Sequence, residues 1–143
     1  MTSRTRGTSL ALPSSTQIRQ SSLFWQAWLD LLAFDLHRRG RNFPKLREFV
    51  NRQAIRSRAS GPSLVREVTD AVNDACVWYP KQVLCLQRSA VTTCLLRKYG
   101  IGASMVIGAQ ILPFKAHAWT EVEGNPINER RDVHKVYSVL ERC

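Results

Sequence analysis

With 143 residues the chain has room for one domain with a packed core, and too few for two ordinary ones. Hydrophobic residues make up 44% of it, the usual share for a globular protein, and no apolar run approaches the roughly 20 residues that span a bilayer, which excludes stable membrane insertion by a helix. The formal charge of +10 is concentrated in residues 1–60, where eleven Lys/Arg face three Asp/Glu; these basic residues do not alternate with stacking aromatics, so an acidic peptide or protein is a better partner than nucleic acid.

Residues 1–20 are basic and rich in Ser and Thr, and Leu10-Ala11-Leu12 is too short for the apolar segment of a secretory signal. They read as a flexible tail ahead of one domain over 21–143, and the location expected is cytoplasmic. Leu23-Phe24-Trp25, Trp28-Leu29, Leu31-Leu32, Phe34 and Leu36 recur at helical spacing up to Arg38-Arg39-Gly40. A second helix is expected from Pro44 to about Arg58, with Leu46, Phe49, Val50 and Ile55 on one side. After the break at Ser60-Gly61-Pro62-Ser63, a third carries Leu64-Val65, Val68, Ala71-Val72 and Ala75 and stops at Tyr79-Pro80, because the residue before proline resists helical dihedrals. These helices fill residues 21–79.

From Cys85 to Tyr99 the pattern is helical again, with Arg97-Lys98 in the last turn and Gly100 as cap. The texture then changes. Ala103–Leu112 and Ala116–Val122 are rich in β-formers and are separated by the Pro113-Phe114 bend. Glu123-Gly124-Asn125-Pro126 reads as a tight turn, Ile127-Asn128 as a short third strand, and Val133–Leu140 as a closing helix. Helices followed by an antiparallel β-meander predict an α+β fold.

The chemistry concentrates in 80–130. Of the four cysteines, Cys76, Cys94 and Cys143 carry no motif; there is no CxxC pair and no metal spacing, so all four read as thiols and no metal or organic cofactor is called for. Cys85 is different because it starts a helix, where unpaired N–H groups and the dipole favour a thiolate and can hold an oxyanion. His117 stands on the second strand, and alternation places it on the same face as Trp119. A histidine on the hairpin after such a helix is what a Cys–His pair requires. Asn128, Glu129 and Asp132 are candidates for the group that orients the imidazole. Gln82, just before the helix, is a candidate oxyanion donor, and Trp119 a candidate pocket wall. His37 and His134 read as surface residues.

The run Cys85-Leu86-Gln87-Arg88-Ser89, then Leu95-Leu96-Arg97-Lys98-Tyr99-Gly100-Ile101, Ala103-Ser104-Met105-Val106-Ile107-Gly108, Pro113-Phe114, Ala116-His117-Ala118-Trp119-Thr120-Glu121, Gly124 and Ile127-Asn128-Glu129, resembles the transglutaminase-like proteins of lasso-peptide biosynthesis. The resemblance covers roughly 80–130. It implies a transglutaminase-like (papain-like) fold and a cysteine peptidase that removes the leader from a ribosomally made precursor peptide with a Cys-His-Asp triad. It implies as partners that precursor, a small leader-recognition protein, and an ATP-dependent cyclase acting next. The helical first 75 residues lack the β-rich pattern of a fused recognition domain, so the unfused type is expected. Cys85 would be nucleophile and His117 general base, while Glu129 stands where the family has aspartate, adding a methylene. An acyl transferase on the same fold and a peptide-binding module without turnover are the alternatives.

Overall fold

Apolar residues at helical spacing shape the first half of the chain and β-branched, small and aromatic residues the second. The computed structural model describes residues 14–38, 43–55 and 61–143. Four helices come first: α1 (Ser15–Arg38), α2 (Phe43–Arg52), α3 (Pro62–Trp78) and α4 (Cys85–Lys98). Strands β1 (Ala103–Gln110), β2 (Lys115–Val122) and β3 (Asn125–Pro126) follow, then a short α5 (Val133–Val136) and β4 (Ser138–Arg142). The sheet has the order β3-β2-β1-β4 with every neighbouring pair antiparallel, so the α+β expectation holds.

The largest core lies among the helices, where Leu23, Ala27 and Leu31 of α1 meet Leu64, Val68 and Val72 of α3 and Val91, Leu95 and Leu96 of α4. A second cluster joins Phe34 and Val50 to Ala90, Cys94 and Met105, carrying the packing through to the sheet. Helix α4 is therefore enclosed between other helices and the sheet, and even Gln87, Ser89, Thr92 and Thr93 are buried. These four side chains are satisfied, as burial demands. Gln87 Nε2 donates to Leu31 O (3.2 Å), Ser89 Oγ to Ala118 O (2.9 Å) and Thr92 Oγ1 to Arg88 O (2.8 Å), while Thr93 Oγ1 and Thr120 Oγ1 share a bond of 3.2 Å. A third cluster of Val106, Trp119 and Val133, with Tyr137 against it, covers the opposite face of the sheet. Gly108 makes that cluster possible: a Cβ there would lie 2.8 Å from the Trp119 ring.

The structure corrects four boundaries. Residues 15–20, expected in the flexible tail, are helical, because Ser14 Oγ accepts from Gln17 N (3.3 Å) and Gln17 Oε1 accepts from Ser14 N (3.2 Å), a reciprocal cap; residues 1–13 lie outside the described ones. Helix α2 ends at Arg52 short of Arg58, leaving Ile55 beyond it and 56% exposed; residues 56–58 lie outside the described ones. Glu123 and Gly124 both adopt positive φ, a two-residue turn that restarts pairing at Asn125 and not at Ile127. The closing helix stops at Val136, and Ser138–Arg142 instead adds a strand to β1. That strand covers an edge of β1 that would otherwise lack partners, and Cys143 extends it by exchanging backbone bonds with Met105 (2.8 and 2.9 Å). Among the described residues no helix is long and apolar enough to cross a membrane.

Candidate active site

Cys85 is the first residue of α4, and Leu84 before it is extended (φ −84°, ψ 159°) with no side-chain cap. No side chain therefore competes for the first N–H groups, which face the thiol end of the helix. Cys85 is half-buried, and all four cysteines are free. The loop leading to it is pinned from α1. Asp35 accepts from Tyr79 Oη (2.9 Å), Lys81 Nζ (2.6 Å) and Gln87 Nε2 (3.3 Å), tying the chain on both sides of Cys85 to one carboxylate. Burial, with the Asp35 hydrogen bond and charge adding to it, pushes the Tyr79 phenol up to about 12, so it stays a donor at neutral pH.

His117 lies on β2, and its Nε2 is 2.7 Å from Glu129 Oε2. The extra methylene of glutamate does not prevent the contact. Burial raises the Glu129 carboxyl, but the His117 hydrogen bond, the Arg130 N–H (3.1 Å from Oε1) and the charges of His117 and Arg88 outweigh it, holding the group below its ordinary value. With an ionised carboxylate at Nε2, the ring carries its proton there in the neutral form and leaves Nδ1 as acceptor. The ring stacks near Trp119 (centroids 6.2 Å) and is tilted against Tyr137 (5.2 Å). It opens onto a cleft of about 270 Å³ lined also by Glu129, Arg130, Asp132, Val133, Val136 and Tyr137.

The other candidates for the third position are engaged elsewhere. Asn128 Oδ1 accepts from Thr120 N (2.7 Å) and its Nδ2 donates to Ser89 Oγ (3.3 Å), so it fastens the 127–129 segment to β2 and α4. Asp132 pairs with Arg130 (3.3 Å). Gln82 is exposed and has no hydrogen-bond partner among the described residues. Trp119 is 0% exposed, so it backs the His117 ring and does not wall an open pocket. Its indole N–H found a buried acceptor, Glu121 Oε1 at 2.8 Å, and this drew the whole side chain inward.

Helix α4 and β2 run in the same direction. Thr93 meets Thr120 and Ser89 meets Ala118, so four residues of helix (about 6 Å) match two of strand (about 6.8 Å). The start of α4, with Cys85, therefore lies toward the end of β2 that carries His117. The two side chains belong to different faces, however. Thr120 points to α4, whereas His117 and Trp119 point the other way. Cys85 and His117 are not hydrogen-bonded, and Cys85 does not line the cleft. The bridge around the edge of β2 is Arg88, whose Nη2 lies 3.4 Å from Asn128 O and 3.8 Å from Glu129 Oε2.

Two further groups escaped the sequence reading. Arg88 is one helical turn past Cys85, a spacing that would have flagged it. His134 is exposed, as expected, but it also reaches Glu121 Oε1 (3.1 Å), and Glu121 is buried with Arg142 on its other oxygen. Nothing in the local pattern links these residues, which come from β2, α5 and β4.

No curated protein and no solved structure matches the chain. A family model described as the transglutaminase-like superfamily matches residues 30–142, from the middle of α1 to the end of β4, and that superfamily includes cysteine peptidases and acyl transferases. The match takes in Cys85, His117 and Glu129 within one continuous stretch of helices and sheet, and the chain belongs to the transglutaminase-like superfamily.

Proposed function

We propose that this protein is a cysteine peptidase that removes the leader from a ribosomally made lasso-peptide precursor, with Cys85 as nucleophile, His117 as general base and Glu129 as its orienting carboxylate. The observation that carries the reading is the 2.7 Å His117–Glu129 contact, in a chain whose Cys85 opens α4. In this scheme the Cys85 thiolate attacks the carbonyl at the leader–core junction, and the N–H groups opening α4 hold the oxyanion. The C–N bond breaks as the His117 imidazolium protonates the departing amine. Water, deprotonated by His117, then hydrolyses the thioester and restores the thiol. Catalytic hydrogen bonds in ligand-free enzymes are often long or poorly aligned, and the peptidase reading requires that substrate binding bring Cys85 and His117 into contact.

The setting proposed is the cytoplasm, where thiols stay reduced. The partners proposed are the precursor, a small leader-recognition protein and the ATP-dependent cyclase that acts on the product, with no nucleic acid. The excess of Lys and Arg in residues 1–60 suits an acidic leader or recognition protein, and raised salt should weaken that association. The missing Cys85–His117 hydrogen bond favours a second reading, a peptide-binding module without turnover. Mass spectrometry of precursor plus recognition protein separates the readings. Cleavage at one junction, lost in Cys85→Ala and His117→Ala, supports the peptidase. Leader binding without cleavage supports the module, and a new amide in place of added water indicates acyl transfer.

A further inference from the structure

We propose that Arg88 is the positioning residue that ties Glu129, and through it His117, to the helix that bears Cys85; the role rests on the peptidase reading, while the physical link does not. Arg88 follows Cys85 by three residues, so it projects from nearly the same side of α4 one turn later. Its Nη2 is 3.8 Å from the same Glu129 oxygen that His117 contacts, and 3.4 Å from the carbonyl of Asn128. That carbonyl is a firm anchor, because the Asn128 side chain is itself bonded to Thr120 N and Ser89 Oγ.

The guanidinium is held here at a cost. Arg88 Nε is buried with no acceptor among the described residues. A buried donor without a partner is unfavourable, and native folds retain few of them. The position offsets that loss by what it does for Glu129. A glutamate has one more rotatable bond than the aspartate it replaces in the family pattern, and a cation on α4 restricts where its carboxylate settles. Other charges near the pair do not substitute for Arg88. The Arg130 side chain pairs with Asp132 and is 83% exposed, and Lys115 is exposed at the start of β2. Among the described residues, the basic side chains within 4 Å of Glu129 are Arg88 and His117, and of these Arg88 carries a permanent charge.

The test uses the full-length chain and the variants Arg88→Gln, Arg88→Lys, Glu129→Gln and the Arg88→Gln/Glu129→Gln double variant, each checked for folding by circular dichroism. The readouts are the NMR titration of the His117 ring and kcat and KM on the precursor with its recognition protein. In Arg88→Gln the His117 titration moves to higher pH, since a nearby cation has gone, and kcat falls about 10- to 100-fold with KM nearly unchanged, as for other outer-shell supports. Arg88→Lys restores the titration in part. In the Glu129→Gln background the Arg88 substitution adds little, because both act through one carboxylate. A folded Arg88→Gln with the wild-type titration and kcat overturns the proposal, as does a loss that simply adds to that of Glu129→Gln. If wild type cleaves nothing, the peptidase reading fails, and the His117 titration alone still decides whether Arg88 is coupled to the pair.

Discussion

The two faces of the sheet are built from different chemistry. The face toward α4 is closed with short hydroxyls and aliphatics: Ser89 and Thr93 of the helix meet Ala118 and Thr120 of β2, beside Cys94 and Met105. The far face holds Trp119, a buried carboxylate at Glu121 with Arg142 and His134 on it, and the His117–Glu129 pair at the mouth of a cleft. Short neutral groups allow a helix to approach a sheet closely and leave little to rearrange. Charged groups in a low-dielectric surrounding interact strongly and lose much when one partner goes. The near face therefore serves position, fixing α4 against β2, and the far face holds the charged pairs.

Substitutions sharpen this contrast, beginning with the largest effect. Cys85→Ala should abolish peptide cleavage, by at least about a thousandfold, while leaving the melting temperature close to wild type, because the side chain is only half-buried and unpaired in any disulfide. Mass spectrometry and thermal unfolding read the two quantities separately. Glu129→Gln should lower kcat on the order of 100-fold.

Glu129 also predicts a pH dependence. Its folded-state value is depressed, so its stabilisation is complete above the ordinary carboxylate value and is lost as pH falls through the folded one. Urea midpoints from about pH 6 down to about pH 3 should fall less steeply in Glu129→Gln than in wild type.

On the far face, Glu121→Leu should cost about 1–3 kcal/mol by urea titration, since it leaves the buried Trp119 N–H without its acceptor, while half-exposed Arg142 can turn to water. Gly108→Ala should cost about 1–3 kcal/mol by pressing on the Trp119 ring, and should perturb the His117 resonances. The near face supplies the smallest change. Thr93→Val should cost about 1 kcal/mol, because Thr120 Oγ1 keeps its bond to Ser89 O (3.1 Å). A Thr93→Val loss as large as that of Glu121→Leu would break the comparison.

Much of the fold was legible along the chain. The helices at Cys85 and after Gly61 begin where proline and apolar spacing put them, and the two long strands follow from β-formers on either side of a proline bend. The start of α1 was read as tail, although Ser14-Ser15-Thr16-Gln17 carries a local signature in its reciprocal cap. The last strand was not legible. Val139 and Leu140 suit a helix or a strand equally in so short a run, and pairing with β1 settled the choice. In the candidate site, Cys85 and His117 could be singled out by residue type and local element; spacing left the third group open, and only the resemblance pointed to Glu129.

By itself the sequence determined the helical preamble, the α+β order, the placement of Cys85 at a helix start and of His117 on a strand. Those are short-range properties, set by periodicity, capping and chain stiffness within a few residues. Tertiary structure alone decided that Glu129 and not Asn128 or Asp132 meets His117, that Trp119 turns inward to Glu121, and that Arg88 reaches around β2. Each of those outcomes depends on which backbone groups in distant segments were left needing a partner, and the strand register that brings them into reach is fixed only when the whole sheet closes.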